Sequence, residues 1–213
     1  MKIPTLLVIL STIFVLSACS VNKPSSKNEF PRPEPDYNAK LARDFSAFED
    51  ALAAFTLERA AEIDALQAGK TVLEIQTLLD GDQLTSEELV TYYVDRIKRY
   101  DVDNFNSVLA LNPQALEEAK AMDAERANGQ SRGMMHGIPI LLKDNIAIKG
   151  MNTAAGAYAM KDWTPDRDAT VTTALRTSGA VILGKANLSE WANWMDAGMP
   201  NGFSALGGQT RNP

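Results

Sequence analysis

Apolar and polar residues repeat with helical spacing in the stretch that follows residue 38. Between residues 39 and 68 an apolar side chain recurs every third or fourth position, which is the pattern of an amphipathic helix. The members of this stripe are Leu41, Phe45, Phe48, Leu52 and Phe55. We expect a packing helix here, ended by Gly69.

The first residues of two further helices can be recognised. Thr85 followed three positions later by Glu88 is a capping-box pattern, in which each side chain satisfies a free backbone N–H of the first turn. It predicts a helix that runs to about Tyr100. Pro113 predicts another helix start, because proline needs no N–H partner at the first helical position. That helix should run to about Asn128.

Short apolar segments between the helices predict strands. Residues 107–111 form a short strand, and residues 138–142 and 180–183 are continuous apolar runs, which are typical of buried strands. Helices that alternate with short buried strands indicate an α/β fold.

Two more helices are predicted after residue 160. Asp168 can cap a helix that continues to Arg176. Asn187 with Glu190 has the spacing of another capping box and predicts a helix that carries two tryptophans.

The first nineteen residues have the features of a bacterial export signal. Met1-Lys2 precede a mostly apolar run of sixteen residues, shorter than the roughly 20 that span a bilayer. The end of this run, LSAC at residues 16–19, resembles the lipobox of bacterial lipoproteins, whose cysteine is acylated and whose chain is cut just before it. The resemblance implies lipid attachment at Cys19, and Ser20 after it favours the outer membrane of the bacterial cell envelope, on the periplasmic side. Ordinary secretion or an uncleaved anchor is the alternative.

Residues 19–38 predict a disordered tether. They are mostly polar and hold four of the ten prolines, so they cannot bury enough apolar surface to fold. The sequence therefore divides into a signal peptide at 1–18, the tether at 19–38 and a folded part at 39–213.

Composition excludes several kinds of site. The net charge is −6, which disfavours nucleic-acid binding because that needs a basic surface. Cys19 and His136 are the only cysteine and the only histidine, too few for an internal disulfide, a Cys/His zinc site or a Ser-His-Asp triad. We expect neither a metal nor a cofactor, and any catalysis must use lysine, carboxylate, hydroxyl or backbone groups.

Lys143 is the candidate catalytic residue. It ends an apolar strand and is followed by Asp144 and Asn145. A lysine held partly desolvated at such a position can accept a proton from a serine hydroxyl. Taken alone the pattern is weak, because most Lys-Asp pairs at strand ends are simply solvated.

Other candidate residues have structural interpretations. Gly184-Lys185 follows a strand, but Ala186 stands where a phosphate-binding loop needs serine or threonine. His136 is single and lies beside glycine, so we expect it in a structural or site-rim role. The tryptophans are expected in the core or at a site rim.

Several segments, in the same order along the chain, resemble the amidase signature hydrolases. HGIPILLKDN at residues 136–145 resembles the lysine motif of that family, and GAVILGKANLSE at 179–190 resembles its next block. GGQTRNP at 207–213 resembles the stretch that leads into its serine-rich signature, and residues 85–113 resemble its N-terminal helical region. The resemblance covers about residues 70–213.

The resemblance implies an α/β/α fold with a mixed central sheet, of which this chain contains the N-terminal part. It also implies a Ser-cisSer-Lys mechanism, in which the lysine acts through one serine to activate a second serine as nucleophile. Lys143 matches the catalytic lysine. Both serines belong to a segment expected after Pro213, so we predict that this polypeptide alone is inactive. The remaining serines, Ser178, Ser189 and Ser204 among them, do not lie in that motif.

Three interpretations of function follow. The first is hydrolysis of a small amide or peptide amide, and the second is a non-catalytic exported binding lipoprotein of the same fold. The third is a protein like the amidase-related component of an amidotransferase, which acts on aminoacyl-tRNA; the export signal and acidic charge oppose it. The sequence indicates neither the substrate-binding residues nor the oligomeric state.

Overall fold

Residues 41–196 and 198–213 are described by the computed structural model. Helices in this part of the chain pack against a small sheet. The predicted signal peptide, Cys19 and the predicted tether lie outside the described residues. No helix within the described ranges is long and apolar enough to cross a membrane.

Three strands form the central sheet, in the order β1-β3-β2. They are β1 (Val108–Leu111), β2 (Pro139–Lys143) and β3 (Val181–Ala186). Strand β3 is antiparallel to β1 and parallel to β2. The sheet is therefore mixed, as the family resemblance implied, and the α/β prediction is confirmed.

The described ranges contain six α-helices, of which α4, α5 and α6 pack against the sheet, and a two-stranded ribbon near the C-terminal end of the sequence. The helices are α1 (Glu49–Ala54), α2 (Leu57–Gln67), α3 (Val72–Asp80), α4 (Ser86–Arg96), α5 (Ala115–Ala127) and α6 (Thr170–Thr177). The ribbon pairs β4 (Phe203–Ser204) with β5 (Gly208–Gln209).

Alternate residues of β3 face two different cores. Val181 and Leu183 pack on one side with residues of α4, α5 and β1, while Ile182 packs on the other side with Leu142 and α6 residue Leu175. The central strand is buried on both faces, as expected for the middle of a sheet covered on two sides. Its continuous apolar sequence correctly predicted a buried strand.

Gly184 fixes how closely β1 approaches β3. A Cβ atom at this position would lie 2.2 Å from the carbonyl oxygen of Ala110 on the neighbouring strand. Only a residue without a side chain can occupy this position at that spacing.

The long helix predicted between residues 39 and 68 is interrupted. A 3₁₀ turn at Ser46–Phe48 leads into α1, and Phe55 then adopts an extended conformation before Thr56 caps α2 by accepting the N–H of Arg59 at 3.1 Å. The single-helix prediction is wrong because this local cap opens a second helix. Gly69 follows the end of α2, as predicted.

The cap at Thr85 is confirmed. Its hydroxyl accepts the N–H of Glu88 at 3.0 Å, and the Glu88 carboxylate accepts the N–H of Thr85 at 3.0 Å. Helix α4 continues into a π-helix at Ile97–Phe105, five residues beyond the predicted end at Tyr100. The same kind of cap at the start of α3, made by Thr71 and Glu74, was not predicted.

The remaining boundary predictions are partly correct. Helix α5 begins at Ala115, two residues after Pro113. In β2 only Leu142 is buried, the three residues before it are half-buried and Lys143 is exposed. Strand β2 pairs on one side within the described residues, which explains its partial exposure.

Two predicted helix caps are wrong. Asp168 does not cap α6; its carboxylate accepts the N–H of Lys149 at 2.7 Å and pairs with Arg176 at 3.2 Å. Asn187 and Glu190 do not open a long helix, because the segment Glu190–Asn193 is a short turn with left-handed backbone inside it. The carboxylate of Glu190, like that of Asp168, instead binds a segment distant in sequence: it accepts the N–H of Ala205.

Candidate functional site

Lys143 lies at the carboxyl end of β2, next to the end of the parallel strand β3. Its Cα is paired with Ala186, and its carbonyl oxygen accepts the N–H of Ile146 at 2.8 Å. The side chain is exposed and makes no hydrogen bond or ion pair within the described part of the chain. The partial desolvation that we expected from the sequence is therefore not observed. The reason is local: Lys143 is the last residue of a strand that, among the residues that the structure describes, is paired on one side only.

Asp144 has the opposite environment from Lys143. It is 1% exposed, and its Oδ2 accepts the backbone N–H groups of Ala154 at 3.2 Å and Gly156 at 3.0 Å. Burial raises the pKa of Asp144, although these hydrogen bonds and Lys185 act in the other direction. This carboxylate therefore joins the end of β2 to a turn ten residues further along the chain.

Lys185 is buried in the middle of the sheet and supplies the counter-charge for Asp144. Its Nζ lies 3.6 Å from Asp144 Oδ1 and donates to the carbonyl oxygen of Ile146 at 2.6 Å and to Thr153 Oγ1 at 3.1 Å. Desolvation lowers the pKa of Lys185 to about 8, more strongly than the attraction of Asp144 raises it. Sequence reasoning considered Lys185 only as part of a phosphate loop. The sequence did contain an indication of this pair, which we missed: a lysine that follows directly on an apolar run within a buried strand needs a buried partner.

The turn bound by Asp144 has strained backbone. Ala155 has φ of +50°, a left-handed conformation that is uncommon for residues other than glycine. Its carbonyl oxygen accepts the N–H of Trp191 at 3.0 Å. Gly156 follows with φ of +73°, and a Cβ there would lie 2.5 Å from the Cβ of Ser204. The strain is held by bonds on both sides of the turn, which is a common property of functional sites.

An open cleft of about 260 Å³ lies beside this turn. Its lining carries no charged side chain and consists of Asn145, Thr153, Ala155, Met160, Trp163, Trp191 and Ala192. Asn145, which lines the cleft, follows Lys143 by two residues in the sequence, whereas Lys143 itself is not part of the lining. The prediction that the tryptophans lie in the core or at a site rim agrees with Trp163 and Trp191 but is wrong for Trp194, which is 87% exposed and does not line the cleft.

Asn187 holds the C-terminal ribbon against the end of β3. Its Oδ1 accepts the hydroxyl of Ser204 at 2.9 Å, and its Nδ2 donates to Thr210 Oγ1 at 3.0 Å. A Cβ on Gly207 would lie 2.1 Å from Asn187 Oδ1. Close packing against Asn187 therefore accounts for the glycine at position 207.

His136 lies at the opposite end of β2 from Lys143. It is fully buried, its Nε2 is 2.8 Å from the carbonyl oxygen of Met122, and its Nδ1 accepts the N–H of Arg132 at 3.3 Å. Both ring nitrogens therefore bind backbone groups. This placement is structural, which is one of the two roles expected from the sequence.

The serines of the chain that we set aside make ordinary hydrogen bonds. Ser178 donates to the carbonyl oxygen of Leu175 at 2.8 Å, and Ser189 accepts the N–H of Gly202 at 2.8 Å. Within the described ranges no cluster of histidine, cysteine, aspartate and glutamate has an arrangement that could hold a metal ion.

Comparison with known proteins defines the family. The Amidase family model matches residues 88–213, more than half of the sequence. The chain therefore belongs to the amidase family.

Individual relatives agree with this assignment. A Schizosaccharomyces pombe protein described as an amidase is 44% identical over 144 residues, which are 67% of this chain and 24% of that protein. A glutamyl-tRNA(Gln) amidotransferase component from Moorella thermoacetica is 40% identical over 57% of this chain and 25% of its own length. The native peptide amidase of Stenotrophomonas maltophilia superposes with a TM-score of 0.67 at 46% identity, over 69% of this chain and 30% of that structure. The chain thus spans about a quarter to a third of the length of these relatives.

Proposed function

We propose that this chain supplies the lysine of a Ser-cisSer-Lys amide hydrolase. In this proposal Lys143 takes a proton from the relay serine, which activates the nucleophilic serine toward an amide carbonyl. The attack forms an oxyanion that backbone N–H groups stabilise, the amine leaves with a proton, and water hydrolyses the acyl-enzyme. Both serines are assigned to sequence that follows Pro213.

One observation carries the proposal: the amine of Lys143 is exposed and unpartnered, within the described residues, where two parallel strands end. Ligands of α/β folds bind beyond the carboxyl ends of the strands. The adjacent Asp144 does not neutralise this amine, because it is paired with Lys185 instead.

Further sequence packed over Lys143 would supply the environment that the described residues lack. Removing water from an amine weakens its charged form and favours proton acceptance. The same packing would bring hydroxyl groups within reach of the Nζ atom. The isolated polypeptide of residues 19–213 should therefore fold locally around its sheet but show no amide hydrolysis.

The first test is the coding sequence beyond codon 213 and the turnover of its complete product. A glycine- and serine-rich stretch there supports the hydrolase. Substituted serines contradict it and favour the non-catalytic binding protein, and a stop codon contradicts it and would mean a truncated remnant. In the complete product, Lys143→Ala should lower kcat for an amide substrate by about a thousandfold or more. Lys149→Ala is the matched control, because Lys149 is also exposed and only six residues away. Turnover of Lys143→Ala equal to that of the control would remove the catalytic assignment.

We further propose a small amide or peptide amide as the substrate. The uncharged lining of the cleft that Asn145 borders and the likeness to a peptide amidase support this choice. Release of free ammonia from a neutral peptide amide, without any added acceptor, is the expected result. The likeness to an amidotransferase component makes transfer to a tRNA-linked acceptor the competing outcome. Activity that requires charged tRNA would favour that alternative.

We also propose that the protein is an outer-membrane lipoprotein, on the basis of the LSAC segment at residues 16–19. Cys19→Ser should abolish incorporation of labelled palmitate and release the protein from membranes. Ser20→Asp should keep the lipid but shift the protein to the inner membrane. Unchanged labelling in Cys19→Ser would exclude the anchor and leave simple secretion.

A further inference from the structure

A fully buried ion pair lies next to the candidate catalytic lysine. Lys185 is 0% exposed and Asp144 is 1% exposed. Taking two ions out of water costs several kcal/mol for each, and well-packed apolar side chains of the same volume are often at least as stable. A contribution to stability therefore does not account for the pair, whereas a role in fixing local geometry does.

The pair closes the loop of residues 144–156 on itself. Lys185 binds the start of the loop through the carbonyl oxygen of Ile146 and its end through the hydroxyl of Thr153. Asp144 binds the end of the loop through two backbone N–H groups and is itself fixed to β3, since its N–H donates to Ala186. These bonds connect the ends of both parallel strands with the strained turn.

Two parts of the site depend on this arrangement. Lys143 is covalently adjacent to Asp144, so the position of its backbone follows that of the carboxylate. Ala155, which lines the cleft, has its left-handed conformation between the two N–H groups that Asp144 accepts. A change in either charged residue should therefore move the amine and one wall of the cleft together.

We propose that Lys185 and Asp144 are positioning residues for amide hydrolysis, which hold the end of β2 and the turn at residues 153–156 in the geometry that the reaction needs. The inference rests on the proposed function of Lys143. Neither side chain touches the substrate in this proposal, because both are buried beneath the loop.

The test compares variants of the complete protein. Asp144→Asn keeps an acceptor for the two N–H groups but removes the charge, and Lys185→Met removes the donor while keeping most of the volume. Asp123→Asn is the control, since Asp123 also accepts two backbone N–H groups, those of Ser86 and Glu87, but near the start of β2. The readouts are kcat, KM and hydrogen exchange of a peptide that covers residues 150–157.

Each pair variant should lower kcat by at least about tenfold, with a smaller change in KM, and should speed exchange of that peptide. The double variant should be about as slow as the slower single variant, because residues that act as a unit are not additive. Asp123→Asn should change kcat by less than about twofold. A lower kcat without faster exchange, or losses that multiply in the double variant, would overturn the inference.

The controls separate the two proposals. If Lys143→Ala is inactive while both pair variants have normal kcat, the positioning role is wrong and the catalytic assignment stands. If Lys143→Ala is active, the catalytic assignment is wrong. If a single variant does not fold, the double variant is used instead, because it buries no unpaired charge. Normal kcat and normal hydrogen exchange in the double variant would contradict the inference.

Discussion

Lys143 and Asp144 are consecutive residues whose side chains face opposite environments: the amine is in solvent, and the carboxylate is sealed beneath a loop with Lys185. Strand β2 ends at Lys143, and Asp144 begins the turn that follows, where its carboxylate accepts two backbone N–H groups of the loop. The consequence is that the nearest carboxylate in the sequence does not neutralise Lys143. The amine remains available to groups that approach from the solvent side.

Gly184→Ala should strongly destabilise the fold. The added Cβ would lie 2.2 Å from the backbone oxygen of Ala110, which a backbone atom in a paired strand cannot easily relieve. We expect a loss of roughly 3 kcal/mol in the free energy of unfolding, measured by urea denaturation. Gly81→Ala, at an exposed helix end with its nearest atom at 3.2 Å, should change stability much less. Equal effects of the two substitutions would contradict the close strand contact.

His136→Phe should weaken folding without altering the chemistry. It leaves the carbonyl oxygen of Met122 and the N–H of Arg132 without their partners, and unpaired buried groups of this kind cost about 1–3 kcal/mol each. Thermal unfolding measures the loss. In the complete protein, the kcat of the folded variant should stay close to that of the unmodified sequence, and a large fall in kcat would place His136 in the proposed reaction instead.

The free energy of unfolding should depend on pH in alkaline solution because Lys185 titrates there. Its folded pKa of about 8 lies below the ordinary value of 10.5, so the unfolded chain holds more protons between these values. The contribution of Lys185 therefore rises as the pH increases from about 8 to about 10.5 and is lost as the pH falls through 8. Asp144 is the titratable group that faces it within the described residues.

The measurement is the free energy of unfolding at pH 7.5 and pH 9.5, compared with that of Lys185→Met. The slope of the unmodified protein should exceed that of the variant by up to about 1.4 kcal/mol per pH unit. Equal slopes would mean that Lys185 titrates alike in both states.

Thr85→Ala should cost about 1 kcal/mol, the usual value of a lost N-cap. The substitution removes the acceptor for the N–H of Glu88 at the start of α4. Thr77→Ala is the control, because Thr77 lies inside α3 and its hydroxyl only donates to a carbonyl oxygen of the same helix. Loss of helical circular dichroism on heating measures both. An equal effect in the two variants would contradict the capping role of Thr85.

Local interactions were readable from the sequence. The cap made by Thr85 and Glu88 involves residues only three apart. Gly69 after α2 adopts a positive φ, which depends on its own backbone. Neither feature depends on the rest of the fold. The burial of β3 was likewise predictable, because its sequence is a continuous apolar run.

Contacts between distant segments were not readable. Asp168 has the composition of a helix cap, yet its partners are Lys149 and Arg176. The pairing of Lys185 with Asp144 exists only because β2 and β3 run parallel with their ends aligned. The position of Lys143 was predicted, but its exposure was not, since exposure depends on which elements cover the end of β2.

The sheet order leaves β2 and β1 as the outer strands of the described part of the chain. The free side of β2 presents backbone donors and acceptors that another strand can bind. Any chain that continues this fold must add its next strand along one of those two borders, because β3 is occupied on both sides. A preparation of these residues by themselves should accordingly self-associate along the free side of β2.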